Sequence, residues 1–528
     1  MAVPSFTARP DTLMSRGFGL AIAGLVLAGC YLLWLATRWG IGLYTDSIVY
    51  VGTARSILAG AGVSYFDDVG RFAPVIQYPP LYPAIVAALS MTGLDALESA
   101  RWLSIVCYGA NALLVGYMVY YSSSSHSASL LAALLALTAF PMVYIHSQAL
   151  TEPPFIFLIL LGFVLLERYL NRPRRWLLYS CALCIGISCL VRYVGLAFVI
   201  AGGLAVLWLG DGNWLKRFVD TIKFGVISSL PLAAWLVRNS FSAGNPVNRT
   251  FGFHPPPLRD FLPILDTMAQ WLLPIAMVEG APWFGRLVVG ILIIILIWLA
   301  SKADFGQTKL PRLIGFCVGG YALFLLISWT LNDQPLYFDT RTMALPYVGL
   351  MILAVCIGAN RLRISGWPVK SWRRFTVHCV LILAAALSTV NSALWLQQSY
   401  ASGIGYATDA WRSSELLKFV KASAEAPLIY SNAPDFIYTL TGRSAIMIPH
   451  KIHPWTRQPN QQLSAETAAM REQLKTPNAV LIYFNGDDRL WYLPSEEELA
   501  TKLSLQVVKT AADGRIYSLK NVATAAQN

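Results

Sequence analysis

Residues Trp176 to Gly210, WLLYSCALCIGISCLVRYVGLAFVIAGGLAVLWLG, contain a single charged residue, Arg192. A helix needs roughly 20 apolar residues to span the hydrocarbon core of a bilayer. One span over this stretch would bury Arg192 inside the membrane, at a cost of about 2.5–3.5 kcal/mol on insertion scales. Two short helices, near 175–191 and 193–210, avoid that cost. The stretch therefore predicts two spans with Arg192 at the turn between them.

The whole chain shares this shortage of charge. Of its 528 residues, 56% are apolar and 13% are charged, whereas soluble domains carry about 25% charged residues. This composition excludes a disordered chain, a disulfide scaffold and an ordinary cytosolic enzyme. Further uncharged runs extend over 17–37, 102–151, 313–332, 342–360 and 375–408. The fold class predicted from these runs is mainly α, a polytopic bundle of transmembrane helices.

Eleven spans are predicted from the apolar runs. They lie near 17–38, 99–121, 127–145, 152–169, 175–191, 193–210, 218–238, 285–301, 312–331, 341–359 and 374–396. With the N-terminus in the cytoplasm, the outer loops of the membrane part carry few cations, and its inner loops and adjoining span ends carry many: Arg168, Arg172, Arg174, Arg175, Lys216, Arg217, Lys302, Lys309, Arg312, Arg361, Arg363, Lys370, Arg373 and Arg374. This bias follows the positive-inside rule.

The net charge of +12 is thus mostly a topology signal. It indicates membrane lipids with anionic headgroups as partners of the inner loops, and it does not indicate binding to nucleic acid. The same orientation places 39–98, 239–284, 332–339 and everything after about residue 397 on the extracytoplasmic face. We expect a multi-pass protein, of a bacterial cell membrane, with a cytoplasmic N-terminus.

The C-terminal segment differs in composition from the spans. Leu428–Ser431 and Ala479–Phe484 have the pattern of buried strands, and Trp411–Lys421 that of an amphipathic helix. Ser495–Leu505 reads as a short acidic helix, and Asp513-Gly514 is a hairpin signal. The sequence therefore predicts two domains. Residues 1–396 form the transmembrane domain, including the first outer loop (39–98) with juxtamembrane helices, and 397–528 form a small extracytoplasmic α/β domain.

Ionisable side chains collect at the predicted outer ends of the spans. They are Asp46, Glu152, Arg192, Arg238, Asp333, Asp339 and Arg341. Transporters and pumps place such groups near the middle of their helices, where most of these spans carry none. The distribution indicates a cavity at the outer membrane boundary, suited to a substrate that is half lipid and half polar.

Several motifs follow one another in a fixed order along the chain. They are Tyr44-Thr45-Asp46-Ser47, Val51–Gly60 with its Ala54-Arg55 pair, Gln77–Pro83 with Pro79-Pro80-Leu81, Arg101, Ala149–Glu152, Leu190–Tyr193, Trp235–Asn239, and Arg341 with Pro346. Tyr430–Asp435 and Leu440–Arg443 follow in the tail. Together they resemble the C-superfamily (GT-C) of membrane glycosyltransferases, of the bacterial protein O-mannosyltransferase and aminoarabinose-transferase type, similar to glycosyltransferase family 39.

The resemblance implies transfer of a sugar, hexose or pentose, from a polyprenyl-phosphate donor to an acceptor hydroxyl on the extracytoplasmic face, with inversion. The acceptor is a glycan, a lipid or a protein of the cell envelope. Asp46 would be the catalytic base, and Glu152 a second carboxylate that orients the acceptor or the base. Arg192, Arg341 and Arg238 would bind the donor phosphate. Tyr78, His146, Tyr193 and His254 would line the sugar or acceptor site.

Each of these residues also has a plain structural interpretation. Asp46 could cap a loop helix, and Glu152 could begin a helix with its charge near the positive end of the dipole. Arg192 could snorkel at a membrane surface, and Arg341 could pair with Asp339. Interfacial Tyr and His side chains are often simple anchors.

Cofactor use stays open at this point. The family includes metal users as well as metal-independent enzymes, so a divalent metal is possible. The chain has no Asp-x-Asp motif, and Asp46-Ser47 stands where many family members have Asp-Glu. Alternatives to the glycosyltransferase are a transporter or flippase for lipid-linked glycans, a ligase or polymerase with a diphosphate-linked donor, and a noncatalytic binding protein.

Overall fold

The computed structural model describes residues 16–66, 72–249, 251–301, 308–331, 337–364, 372–423, 428–452, 458–485 and 491–520. Asp333, predicted at the outer end of a span, lies outside the described residues. The helices are α1 (Arg16–Ala36), α2 (Thr45–Leu58), α3 (Leu81–Ser90), α4 (Ala96–Ser123), α5 (His126–Thr138), α6 (Phe140–His146), α7 (Glu152–Asn171), α8 (Arg175–Cys189), α9 (Leu196–Leu209), α10 (Trp214–Ala243), α11 (Leu262–Ala269), α12 (Ile275–Gly280), α13 (Pro282–Ser301), α14 (Leu310–Leu331), α15 (Ala344–Ile364), α16 (Trp372–Ser402), α17 (Asp409–Arg412), α18 (Glu415–Ala422), α19 (Pro434–Thr441), α20 (Leu463–Gln473) and α21 (Glu496–Leu503).

The strands are short and few beside the helices. They are β1 (Ser64–Phe66), β2 (Phe72–Pro74), β3 (Ile429–Ser431), β4 (Ile446–Met447), β5 (Val480–Phe484), β6 (Leu505–Ala511) and β7 (Gly514–Leu519). Two 3₁₀ turns occupy Tyr193–Gly195 and Leu258–Phe261. The predicted class, mainly α with a small sheet, is confirmed.

Among the described residues, six helices are long and apolar enough to cross a membrane: α1, α4, α7, α10, α13 and α14. The bent pair of α5 and α6, with an angle of 54° between its halves, makes a seventh if it counts as one span. Helices also lie at the other predicted positions, but α8, α9 and α15 are shorter apolar segments. An integral multi-pass membrane protein follows from these helices, and the count of eleven spans stays a prediction.

The chain divides into two compact units. The first comprises residues 1–41, 76–85 and 97–401, and helix α7 lies in its core. Helix α7 packs against α8, which also packs against α10. Close approach of α8 and α10 depends on Gly186, because a Cβ there would lie 2.7 Å from the backbone oxygen of Ser228. Small residues at such crossings allow helix backbones to pack closely within membranes.

Arg101, quoted above as one of the motifs, has a structural partner in this unit. Its side chain is nearly buried, and Nη2 donates a hydrogen bond to the backbone oxygen of Trp34 at 2.8 Å. Nε donates to the hydroxyl of Thr37 at 3.0 Å. The last carbonyls of a helix lack intrahelical partners, and a cation there opposes the negative end of the dipole. Arg101 therefore caps the C-terminal end of α1.

The second unit comprises residues 42–75, 86–96 and 402–528. Its five-stranded sheet has the order β4-β3-β5-β7-β6, in which β3 is parallel to β4 and β5, while β7 is antiparallel to β5 and β6. The strands β3 and β5 and the β6–β7 hairpin form where the sequence predicted them. The acidic helix α21 begins with a capping box formed by Ser495 and Glu498.

The units differ from the predicted domains chiefly in the first outer loop, and residues 397–401 belong to the first unit. The sequence placed the whole first outer loop, 39–98, with the transmembrane domain. The structure groups 42–75 and 86–96 with the C-terminal residues. Main-chain bonding contributes to this grouping, since Tyr406 N–H donates to the backbone oxygen of Leu43 at 3.1 Å. Helix α2 and the β1–β2 hairpin are thus parts of the second unit.

Candidate functional site

The candidate site in the first unit begins with Glu152 at the start of α7. Thr151 precedes it as the N-cap residue, and Pro153 and Pro154 follow in the first turn. Proline suits the first turn because its fixed φ is helical and its missing N–H would have no intrahelical partner there. The Glu152 side chain is only 4% exposed. A buried carboxylate requires compensation by cations or hydrogen bonds.

Two arginines supply this compensation. Nη1 of Arg192 lies 2.6 Å from Oε1 of Glu152, and Nε of Arg341 donates to the same oxygen at 3.0 Å. Arg192 has an extended backbone (φ −147°, ψ 134°) between the end of α8 and the 3₁₀ turn at Tyr193. The predicted position of Arg192 at a turn between two helices is confirmed. Arg341, which precedes α15, pairs with Glu152, whereas the carboxylate of Asp339 accepts a hydrogen bond from the backbone N–H of Thr342.

The cluster formed by Glu152, Arg192 and Arg341 carries two positive charges and one negative charge. The arginine side chains are 25% and 22% exposed, so part of each remains accessible. Nη1 of Arg192 also donates to the hydroxyl of Thr151 at 2.8 Å, and this hydroxyl donates to Oε2 of Glu152 at 3.3 Å. A net positive cluster of fixed guanidinium groups is suited to binding an anion, because each guanidinium offers several donors in a rigid plane.

Tyr193 directly follows Arg192 in the chain, and the segment that carries Tyr78 lies beside residues 190–193. The hydroxyl of Tyr193 donates to the backbone oxygen of Ile76 at 2.7 Å and accepts a hydrogen bond from Nε1 of Trp235 at 3.0 Å. The N–H of Leu81 donates to the backbone oxygen of Leu190 at 2.9 Å. The segment 76–81 is therefore held beside residues 190–193. Tyr78 lies half-buried in a bend of this segment, next to Pro79 and Pro80.

His146 lies in the packed interior rather than on an open surface. Its side chain is fully buried at the end of α6, with Nδ1 donating to the backbone oxygen of Met142 at 2.7 Å. Nε2 lies 3.1 Å from Nδ2 of Asn111, which also donates to the backbone oxygen of Pro153 at 3.1 Å. Through Asn111, His146 supports the first turn of α7, where Glu152 lies.

The remaining predicted residues of the first unit have other surroundings. Arg238 is half-buried in α10, with its guanidinium over the ring of Trp235 at 4.9 Å and Nη1 donating to the side chain of Asn239 at 3.1 Å. His254 is exposed in the segment after α10, and its backbone N–H donates to the backbone oxygen of Thr330 at 2.7 Å.

Asp46 belongs to the second unit. It lies half-buried in the first turn of α2, after an extended N-cap residue, Tyr44, that contributes no side-chain cap. An acidic residue in a first turn lies near the positive end of the helix dipole. The predicted base and the cluster around Glu152 thus belong to different compact units.

Two contributors to the cluster were missed in the sequence. Thr151 hydrogen-bonds to both Arg192 and Glu152, and Asn111 connects His146 to α7. The sequence could have pointed to Thr151, because this residue directly precedes Glu152 in the Leu150-Thr151-Glu152 motif. Asn111 had a weaker signal, as one of two amide side chains in the uncharged run 102–151. For metals, no group of three or more His, Cys, Asp or Glu side chains that could hold an ion occurs within the described ranges.

The chain is similar to one family model and to several solved structures. Residues 69–240 match the family model described as dolichyl-phosphate-mannose-protein mannosyltransferase. The structure of ArnT from Cupriavidus metallidurans bound to undecaprenyl phosphate is similar, with a TM-score of 0.57, 13% identity, and coverage of 97% of this chain and 100% of that chain. This chain has the GT-C fold. The apo ArnT structure gives a TM-score of 0.58 at 13% identity, over 95% of this chain and 98% of ArnT.

The arabinofuranosyltransferase AftD from Mycobacteria is a further GT-C structure with a similar fold. Its TM-score is 0.51 at 13% identity, over 96% of this chain and 42% of AftD. No curated protein matches the chain. The matched family segment contains Glu152, Arg192 and Arg238, whereas Asp46 and Arg341 lie outside it. The GT-C resemblance predicted from the motifs is confirmed as a fold.

Proposed function

We propose that the protein is a membrane glycosyltransferase that transfers a sugar from a polyprenyl-phosphate donor to an acceptor hydroxyl on the extracytoplasmic face. The acceptor is a glycan, a lipid or a protein of the cell envelope, and the sugar is a hexose or a pentose. The observation that carries this proposal is the pair of partly exposed guanidinium groups held by one buried carboxylate. Two relatives in fold support it, since ArnT is bound to undecaprenyl phosphate in its structure and AftD is an arabinofuranosyltransferase.

The arginine pair fits the part of the donor that carries negative charge. The side chains of Arg192 and Arg341 remain partly exposed while they contact Glu152. A lipid phosphate gains charge on its bridging oxygen as it leaves, and fixed cations stabilise that charge without reorganising. Glu152 then acts as a positioning residue that holds both guanidinium groups. Arg238 is proposed as a further phosphate ligand, through the in-plane N–H donors of its half-buried side chain.

The reaction is a single displacement. The acceptor oxygen forms a bond to the anomeric carbon, and the bond from that carbon to the phosphate oxygen breaks. The hydroxyl proton passes to the carboxylate of Asp46, and the bonding electrons leave with the lipid phosphate. Because the nucleophile and the leaving group occupy opposite faces, the anomeric configuration inverts. General-base catalysis of this kind contributes about 10²- to 10⁴-fold to a rate.

Recognition of the sugar or acceptor is assigned to side chains near the cluster. Tyr78 and Tyr193 are the strongest candidates, because the segment 76–81 is held beside Arg192. Aromatic side chains offer an apolar face to a sugar ring and a polar edge to its hydroxyls. We also propose contacts for the exposed His254, whereas the buried His146 supports the first turn of α7 through Asn111 and does not contact the substrate.

The test uses the purified full-length protein with a panel of polyprenyl-phosphate sugars and an envelope extract as acceptor. We expect release of free polyprenyl phosphate from at least one donor. Asp46→Asn should lower that release at least a hundredfold while leaving folding intact. Asp260→Asn, an exposed aspartate in the predicted outer segment 239–284, is the matched control and should retain normal release.

Two results would count against the proposal. Absence of lipid-phosphate release with every donor would contradict the glycosyltransferase assignment. Near-normal release by Asp46→Asn would leave the reaction in place and remove Asp46 as its base.

A further inference from the structure

Helix α2 carries two charged residues at its two ends. Asp46 lies in its first turn and Arg55 in its last turn. They are nine residues apart, which is about 13 Å along the axis and two and a half turns, so they project from opposite faces. Between them the helix is closely packed, with Val51 and Ala54 fully buried. A rigid helix held on the Arg55 face therefore fixes the direction in which Asp46 points.

Arg55 is bound to the C-terminal end of α19. Nη1 donates to the backbone oxygen of Thr439 at 2.8 Å and to that of Tyr438 at 3.3 Å, and Nη2 lies 3.4 Å from the carboxylate of Asp95. These carbonyls belong to the last turn of α19, at the negative end of the helix dipole, and the oxygen of Tyr438 also accepts a hydrogen bond from the N–H of Gly442. The guanidinium thus caps α19 and joins it to α2.

The other end of α19 is bound by the β1–β2 hairpin. The hydroxyl of Tyr65 donates to Oδ1 of Asp435, in the first turn of α19, at 2.8 Å. Burial, and then the negative charge of Asp435, raise the pKa of Tyr65 well above its usual value, so the phenol stays protonated and remains a donor. The ring of Tyr65 also packs on α2 at Gly52, where any Cβ would clash with it.

We propose that Arg55 and the Tyr65–Asp435 pair are positioning residues that use α19 of the C-terminal domain to orient Asp46 for proton transfer. This inference rests on the proposed function, in which Asp46 is the base. All of its contacts lie within the second unit. The C-terminal domain then contributes to the rate of transfer through the orientation of α2, because displacement of a reacting group by about 1 Å can lower a rate a hundredfold.

The test compares Arg55→Gln and Tyr65→Phe in the full-length protein, each alone and combined with Asp46→Asn. Arg515→Gln is the matched control, because Arg515 forms an exposed ion pair with Glu496 in the same unit. We expect Arg55→Gln to lower kcat about 10- to 100-fold with the donor KM unchanged. In the Asp46→Asn background it should produce no further loss, since there is no base left to orient. Tyr65→Phe, which removes one hydroxyl and keeps the ring, should also lower kcat with the donor KM unchanged.

Hydrogen exchange provides a readout that does not need turnover. The amides of α2 should exchange faster in Arg55→Gln than in the wild type or in Arg515→Gln. Unchanged exchange in α2 would overturn the proposal even if no donor is turned over, so its failure is distinguishable from failure of the proposed function. The proposal would also be overturned if Arg55→Gln lowered kcat by the same factor in the wild-type and Asp46→Asn backgrounds. A kcat for Arg55→Gln equal to that of Arg515→Gln would overturn it as well.

Discussion

Glu152 and Arg192 form the shortest contact of the cluster, with Oε1 of Glu152 2.6 Å from Nη1 of Arg192. The same oxygen accepts a hydrogen bond from Arg341 at 3.0 Å. One buried carboxylate therefore fixes two guanidinium groups that come from distant parts of the sequence. Because two cations already contact Glu152, this carboxylate is suited to hold them rather than to accept a proton. Asp46 is then the candidate for the base.

The first prediction concerns this holding role. Glu152→Gln keeps the shape of the side chain but removes its charge, so the two arginines face each other without a counterion. We expect the free energy of unfolding to fall by about 3 kcal/mol, as for other buried pairs that lose one partner. Polyprenyl phosphate should also bind more weakly, measured by titration in detergent alongside thermal unfolding. A variant that binds and unfolds like the wild type, but has lost kcat, would instead assign Glu152 a direct part in proton transfer.

The second prediction concerns the shape of the guanidinium. Arg341→Lys keeps the charge but replaces the planar fork with a compact ammonium that cannot contact Glu152 and a phosphate in the same geometry. We expect donor affinity to fall roughly tenfold, the loss typical of one hydrogen bond to a charged group. Arg259→Lys is the control, because Arg259 is largely exposed and paired with Asp260. Equal donor affinities for the two variants would show that charge alone is sufficient at Arg341.

The third prediction distinguishes a packed histidine from one that binds substrate. Asn111→Leu removes the bonds to His146 and to the backbone oxygen of Pro153 and leaves both groups buried. Because an unsatisfied buried polar group costs about 1–3 kcal/mol, thermal unfolding in detergent should report a destabilisation of that order. The donor KM should stay near that of the wild type. A large change in KM without destabilisation would return His146 to the list of substrate contacts.

The fourth prediction concerns sidedness, which is set here by the distribution of cations. A reporter fused after residue 400 should be active only outside the cytoplasm, and one fused after residue 172 only inside it. Signals from the same side would require an even number of crossings between the two positions. The predicted orientation would then be wrong, and the assignment of the reaction to the extracytoplasmic face would have to be withdrawn.

Much of the fold was predictable because lipid imposes a simple rule on sequence. Uncharged runs such as 17–37 and 313–332 coincide with α1 and α14, and a lone Arg192 marked the turn after α8. In the tail, a continuous apolar run located β5, and the Asp513-Gly514 turn signal located the β6–β7 hairpin. These signals are local, since each depends on residues that are close together in the chain.

Long-range partners were not predictable from the same signals. Nothing near Arg341 in the sequence points to Glu152 rather than Asp339, which is only two residues away. The membership of 42–75 in the second unit depends on contacts such as Arg55 with Thr439, separated by hundreds of residues. Asn111 looked like one polar residue in an apolar run, and only packing shows that it joins His146 to α7.

Binding of polyprenyl phosphate to the purified protein tests whether Arg192 and Arg341 together hold the phosphate of a lipid carrier. The double variant Arg192→Gln/Arg341→Gln should bind polyprenyl phosphate about a hundredfold more weakly than the wild type, since each lost charged hydrogen bond reduces affinity about tenfold. Binding of the uncharged polyprenol should be the same for both proteins. If the double variant kept its affinity for polyprenyl phosphate, or lost affinity for polyprenol equally, Arg192 and Arg341 would not be the residues that bind the phosphate.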